Sequence, residues 1–219
     1  MISYIGVYGA SGFGKEVMPL VRQQYAALEK QQFVFIDDGQ AGNTLIGYPI
    51  LSYVDFLANT STEKGVVIAI ANSQVREKLT AQLAIDQIPQ LHIHAHNALI
   101  AEEAEIAEGS LFCAFTCVTS NAKIGKGFHA NIYSYVAHDC VIGDYVTFAP
   151  SVKCNGNVHI EDHAYIGTGA IIKQGTPERP IVIGRGAVVG MGAVVTKSVP
   201  AGVTVIGNPA KPLGRNING

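Results

Sequence analysis

Charge is scarce in this sequence. Asp, Glu, Lys and Arg make up only 15% of its 219 residues, and the net charge is −2. That excludes the clustered basic surface of a nucleic-acid-binding protein. Tryptophan is absent, and methionine occurs three times. No run of 18 apolar residues exists, despite a mean hydropathy of +0.24, so no membrane-spanning helix is expected. Met1 leads directly into a strand pattern with no signal peptide before it. The four cysteines form no paired framework. Cys113 and Cys117 are spaced C-x-x-x-C with no second pair to complete a zinc site. Buried thiols in a reducing, cytoplasmic compartment are expected instead.

What is present is a period of six. Ile100, Ile106, Phe112, Val118, Ile124, Ala130, Val136, Ile142, Phe148, Cys154, Ile160, Ile166 and Ile172 form an unbroken apolar or small series. Four residues after each of the first twelve comes a second, mostly small position, from Ala104 to Ala170. Six fits neither a helix nor an ordinary strand. It is the hexapeptide signature of a parallel β-helix, with larger aliphatics inside and small residues at the corners. Three hexads make one coil, so residue i lies under residue i+18, and successive coils are ~4.8 Å apart. After Ile172 the next inward positions are Ile183, Val189 and Val195, so residues 173–182 are expected as a loop outside the coil, on a binding face. After Pro200 the register is expected to end, with Gly207-Asn208-Pro209-Ala210-Lys211-Pro212 leading away as a tail.

Residues 1–90 read differently. Strands at Ile2–Tyr8, Phe33–Ile36 and Gly65–Ile70 alternate with helices at Lys15–Leu28, Ser52–Leu57 and Gln74–Leu83. That pattern predicts a small parallel α/β domain. Gly9-x-x-Gly12-x-Gly14 follows the first strand and opens a helix, where backbone N–H groups suit phosphate. The spacing is not G-x-G-x-x-G, and an ordinary strand-to-helix turn also favours glycine. Asp37 closes the second strand, about where a dinucleotide fold places its ribose acid, but the second mononucleotide half is missing. The expected division is 1–90, Rossmann-like, and 91–219, β-helix with its tail.

The segments YGASGFG, FIDD, AIANSQVR, AHDCVIGD, KCNGNV, YIGTGA and VIGNPAKP span essentially the whole chain. Together they resemble the left-handed β-helix sugar O- and N-acetyltransferases with a Rossmann-like N-terminal domain, in particular the bacterial nucleotide-sugar N-acetyltransferases of bacillosamine and perosamine type. Left-handedness comes from the resemblance; the usual crossover rule predicts the opposite hand. The resemblance implies an acetyl-CoA-dependent N-acetyltransferase acting on a nucleotide-linked 4-amino-4,6-dideoxy sugar, built as a homotrimer in the cytoplasm, without metal. It makes His138 the general base, Asp139 its acidic partner (Asp where the family has Glu), Gly156 the oxyanion donor and Asn131 an orienting residue. The 18-residue spacing independently stacks His138 under Gly156. Thr147, which is histidine in some relatives, and Gly167, Thr168, Met191 and Gly192 match CoA-contacting positions. Ser11, Gly12, Phe13, Asp37, Asp38 and Ala71 match the nucleotide-sugar site, with Phe13 standing where relatives can have His. Two other readings share the coil. One is O-acetylation of a sugar of sialic-acid type. The other is a zinc enzyme of γ-carbonic anhydrase type, which needs three converging histidines; His129, His138, His159 and His163 fall at discordant hexad positions. A non-catalytic scaffold or nucleotide sensor is the third class.

Overall fold

A computed structural model of the chain describes residues 2–60 and 63–213. It divides at His96/Asn97 into two compact units, with the short stretch Glu108–Ser110 grouping with the first.

The first unit is built on β1 (Tyr4–Tyr8), α1 (Gly12–Gln24), β2 (Phe33–Ile36), β3 (Thr44–Leu45), β4 (Tyr48–Leu51), α2 (Tyr53–Ala58), β5 (Lys64–Ile68) and α3 (Ser73–Ile85). The sheet order is β3-β4-β2-β1-β5, parallel except for the β3–β4 hairpin. β2 is buried at every residue, the mark of a parallel strand covered on both faces. The hairpin was not expected from the sequence; its two-residue turn, Ile46–Gly47, has both residues in the left-handed region. α1 starts three residues earlier than expected and ends four earlier. Its first turn absorbs Gly12 and Gly14, and the approach is so close that a Cβ on Gly14 would lie 2.1 Å from the Gly9 carbonyl oxygen. The ends of α2 and α3 follow their caps. Ser52 Oγ accepts from the Asp55 amide, and Asn72 Oδ1 accepts from the amides of Gln74 and Val75.

The second unit is a three-sided parallel β-helix. Its first sheet runs from Leu99–Ile100 through Cys117–Val118, Tyr135–Val136, Lys153–Cys154 and Ile171–Ile172 to Val194–Val195. The second sheet runs from Glu105–Ile106 to Ile181–Ile183, and the third takes in Leu111–Phe112, His129–Ala130, Thr147–Phe148, Tyr165–Ile166, Val188–Val189 and Thr204–Ile206. The register follows the expected 18: Val118 pairs with Val136, and Val136 with Cys154. The hexad series from Phe112 to Ile172, then Ile183, Val189 and Val195, is buried in one continuous core; Ile100 and Ile106 pack against it, half-buried.

Across residues 173–182 the pairing jumps. Ile160 meets Ile183 and Ile172 meets Val195, a step of 23, so five extra residues are extruded. Thr176 and Arg179 exchange backbone hydrogen bonds at 3.1 Å and close this loop. The expected end of the register at Pro200 is corrected. Val189 pairs with Val205, which is buried in the core, so one further strand is laid down at a step of 16. The shortened last coil breaks the hexad count and hid that strand from periodicity. The tail does not lead away either. Lys211–Pro212 turns back and pairs antiparallel with Thr204–Ile206, covering the last open strand edge.

Most corners carry one residue with positive φ. At the corner between the first and second sheets these are Asn121, Asp139 and Asn157, at φ 59°, 58° and 54°. Asn and Asp tolerate this region better than other side chains. Between the third and first sheets they are Phe115, Tyr133, Ser151, Gly169 and Gly192.

Candidate active site

His138 lies on the corner between the first and second sheets. Its side chain is 48% exposed, and Nδ1 is 2.7 Å from Asp139 Oδ2. With Nδ1–H donating to the carboxylate, the free lone pair sits on Nε2, the atom a general base needs. Asn121, one coil below, donates from Nδ2 to Asp139 Oδ1 at 3.2 Å. The hydrogen bond from His138, then that from Asn121, holds the Asp139 carboxyl below the usual carboxylate range. The carboxylate therefore stays ionised to lower pH than a free one.

Gly156 lies one coil above, against the face of this imidazole. A Cβ built on Gly156 would lie 2.5 Å from His138 Cε1 and Nε2, closer than any side chain allows. Glycine is required here by the ring, since its φ is ordinary. The Asn157 amide donates to the His138 carbonyl at 3.1 Å and ties the two coils together. Gly175, at the root of the extruded loop, donates to the Gly156 carbonyl at 3.0 Å. The loop thus rises from the same corner as His138. Beside it, Tyr135 Oη donates to Asn155 Oδ1 at 2.8 Å, and Asn155 Nδ2 donates to the Ile172 carbonyl at 2.8 Å.

The remaining expected β-helix residues gather elsewhere. Asn131, Gly167, Thr168, Met191 and Gly192 all lie on the corner between the third and first sheets, and Thr147 lies on the third sheet that leads into it. A Cβ on Gly167 would meet the backbone of Gly190 and Met191 at 2.6–2.8 Å. The Gly192 amide donates to the Thr168 carbonyl at 2.8 Å, and Met191 is 81% exposed. Within one chain, Asn131 does not share a corner with His138. It accepts from the Ile132 amide at 2.7 Å. His129 is buried in the third sheet, and His163 stacks on Tyr145 with centroids 5.5 Å apart on the remaining corner.

In the first unit, parallel β1 has β2 on one side and β5 on the other, so the order of strand succession reverses at it. The crevice at the carboxyl ends of such strands is where α/β sheets bind ligands. Ser11 stands at the N-cap of α1 without a side-chain capping bond, Gly12 opens the helix facing open space, and Phe13 follows it. Asp37 and Asp38 follow β2, and Ala71 follows β5. All six lie at this edge. Asp37 accepts from Gln40 Nε2 at 3.0 Å and from the Gly39 amide at 3.1 Å. Asp38 accepts from the Tyr53 amide at 2.8 Å and from Tyr8 Oη at 3.4 Å. Burial, then the Asp38 charge, pushes the Tyr8 phenol up to about 12, so it remains a neutral donor. Arg76 was not foreseen. It is fully buried, and its Nη1 donates to the carbonyls of Ile70 and Ala71 at 3.0 and 2.9 Å, fixing the chain that leaves β5.

Missed signals differ in kind. Asn121 sits 18 residues before Asp139, so the coil period pointed to it. The Tyr135–Asn155 bond spans 20 residues between non-equivalent positions, and no spacing marks it.

A histidine–carboxylate pair on a hexapeptide coil, combined with a nucleotide-type α/β unit, defines a two-domain acyltransferase of the left-handed β-helix class. Residues 4–83 match the PglD N-terminal domain family, and residues 121–156 match the bacterial transferase hexapeptide family of six repeats. Over 217 residues, 96% of each chain, the sequence is 47% identical to the GDP-perosamine N-acetyltransferase of Escherichia coli O157:H7. Its fold matches WeeI from Acinetobacter baumannii AYE with a TM-score of 0.95 and 71% identity, over 96% of this chain and 100% of that one. It matches the acetyltransferase domain of PglB from Neisseria gonorrhoeae FA1090, solved with acetyl coenzyme A, with a TM-score of 0.87 and 29% identity, over 97% of this chain and 100% of that one. The chain belongs to the bacterial nucleotide amino-sugar N-acetyltransferase family.

Proposed function

We propose that the chain transfers the acetyl group of acetyl-CoA to the 4-amino group of a nucleoside-diphosphate-linked 4-amino-4,6-dideoxy sugar, with His138 as general base. The observation that carries this is the imidazole held by Asp139 through Nδ1 and packed under Gly156. The sugar amine attacks the thioester carbonyl carbon while Nε2 takes its proton. The Gly156 N–H stabilises the tetrahedral oxyanion. The C–S bond then breaks, and the CoA thiolate recovers the proton from the imidazolium. The products are the acetamido sugar and free CoA. No step calls for a metal.

Residues 1–90 bind the nucleotide of the acceptor. Ser11, Gly12 and Phe13 meet the diphosphate and sugar, Asp37 and Asp38 the ribose or base, and Ala71 lines the same crevice. Residues 91–219 carry acetyl transfer. Thr147, Gly167, Thr168, Met191 and Gly192 line the CoA groove, and Asn131 orients the amine or a water. Since Asn131 and the CoA positions occupy one corner and His138 another, the reading requires a homotrimer in which the two corners meet between chains. Exposed apolar residues support this assembly: Phe115 and Tyr133 stack with centroids 4.9 Å apart, and Ile132 lies beside them. Among the described residues no helix is long and apolar enough to cross a membrane. The four thiols are free, as a reducing cytoplasm would keep them.

The test is direct. The purified protein is given acetyl-CoA with GDP- and UDP-linked 4-amino-4,6-dideoxy sugars, and free thiol is followed. Thiol release matched by formation of an amide is expected. Release only with a hydroxyl acceptor would transfer the assignment to O-acetylation.

A further inference from the structure

The oxyanion donor assigned above is one half of a peptide group. The other half is the Asn155 carbonyl, and the two are rigidly linked. Among the described residues the only cis peptide bond is Asn208–Pro209, so the Asn155–Gly156 bond is trans. In a trans peptide the C=O and N–H point in opposite directions. Whatever holds the Asn155 carbonyl therefore aims the Gly156 N–H.

The carbonyl is held from inside the coil. Cys140 Sγ lies 3.1 Å from the Asn155 carbonyl oxygen, and the Cys140 side chain is fully buried. A thiol carries one proton, and the carbonyl can only accept, so Cys140 donates. Cys154, also fully buried, has its sulfur 4.0 Å from Cys140 Sγ and 3.9 Å from the same carbonyl. The carbonyl thus points into the core, toward two thiols. The N–H points outward, to the side where the exposed His138 ring packs against Gly156. Among the described residues no backbone or side-chain acceptor meets the Gly156 N–H. The side chain of Asn155 is fixed as well, between Tyr135 Oη and the Ile172 carbonyl.

We propose that Cys140 is a positioning residue for acetyl transfer: its buried thiol anchors the Asn155 carbonyl and so turns the Gly156 N–H outward to meet the oxyanion. This rests on the acetyl-transfer reading above. It gives the cysteine after His138 and Asp139 a role that simple filling of the core does not require, because valine or alanine would fill the space without holding the peptide.

The test compares Cys140→Val and Cys140→Ser with the wild type, each well below its own melting temperature. Loss of an oxyanion donor costs ~10²–10³-fold in kcat, and a misaimed donor costs part of that. Cys140→Val should therefore lower kcat roughly tenfold. KM for acetyl-CoA and for the amino sugar should hold within about twofold, and the pH dependence of kcat should keep its shape, because His138 and Asp139 are untouched. Cys140→Ser keeps a donor and should recover most of the rate. A wild-type kcat in Cys140→Val, or equal loss in the serine variant, would overturn the proposal. If the valine variant does not fold, Cys140→Ala carries the same comparison. A wild type with no turnover on any 4-amino sugar nucleotide would remove the reaction assignment and this proposal with it; a fast Cys140→Val removes the proposal alone.

Discussion

Gly156→Ala adds one methyl group at the most crowded point of the site. Its carbon would lie 2.5 Å from His138 Cε1 and Nε2 and 3.0 Å from Nδ1, whereas ordinary contact begins at 3.4 Å. The ring must therefore retreat by about 1 Å, and it cannot do so while keeping its 2.7 Å bond to Asp139. Misplacement by about 1 Å costs roughly 10²-fold in a positioned reaction. Backbone strain adds nothing, because Gly156 does not occupy the left-handed region. The His138 ring is half exposed and free to swing out, so the fold should survive with a small change in melting temperature. The expected result is kcat lower by about 10²-fold with KM for acetyl-CoA nearly unchanged. Free-thiol release under saturating substrates measures the first, and calorimetry the stability. A double-mutant cycle sharpens the test. In a His138→Ala background there is no ring to displace, so the added methyl should cost far less than in the wild type. Wild-type turnover in Gly156→Ala, or equal costs in both backgrounds, would refute the stacking of base and glycine as the basis of the site.

Further outcomes follow from the same geometry. His138→Ala should lower kcat by ~10²–10⁴-fold and abolish the ascending acid limb of the kcat–pH profile. Asp139→Asn should cost less, because it loosens the base without removing it. The Asp139 carboxyl is held low in the folded protein. Its contribution to stability is therefore present above the unfolded carboxylate pKa and is lost as pH falls through the lower folded value. The stability difference between the wild type and Asp139→Asn should accordingly shrink as pH falls below the ordinary carboxylate range. Light scattering at working concentration should give a trimer, and a stable, active monomer would contradict the shared site.

Much of the β-helix was legible because its physics is periodic. A six-residue repeat with three repeats per coil fixes which residues face inward and which stack, and it placed His138 under Gly156 without a structure. It failed where the period changes. The last coil is two residues short of 18, so Val205 fell out of the count although it is as buried as its neighbours. Contacts between non-equivalent positions were also silent. Tyr135 to Asn155 and Cys140 to Asn155 join residues 20 and 15 apart, distances set by how side chains cross the corner. In the first unit, hydrophobic alternation marked the central strands but not the edge hairpin at Thr44–Leu51. That hairpin is short and partly exposed, and its signal is confined to the turn glycine, Gly47. Arg76 was invisible for a different reason. A charge on a helix reads as solvated, and its bonds to the carbonyls of Ile70 and Ala71, just after β5, join it to the chain that precedes its own helix.

The corners divide the labour of the coil. The corner after the first sheet is polar and repeats Asn121, Asp139 and Asn157, side chains that accept positive φ and also hydrogen-bond along the stack. That same requirement places a carboxylate beside His138, so the residue proposed to orient the base is also a structural corner residue. The corner after the third sheet instead repeats Phe115, Tyr133, Ser151, Gly169 and Gly192, apolar and aromatic at one end and bare backbone at the other. Bare backbone with small side chains suits a long, flexible cofactor arm, which gains hydrogen bonds along its length and meets few side chains. On the proposed reading, one chain therefore presents a proton-transfer corner and a cofactor corner, separated by the width of the first sheet. A reaction that needs both within bond-forming distance cannot run inside one coil. The proposed homotrimer would turn the cofactor corner of a second copy toward the first copy's His138, and closed three-fold symmetry would do so for every chain at once.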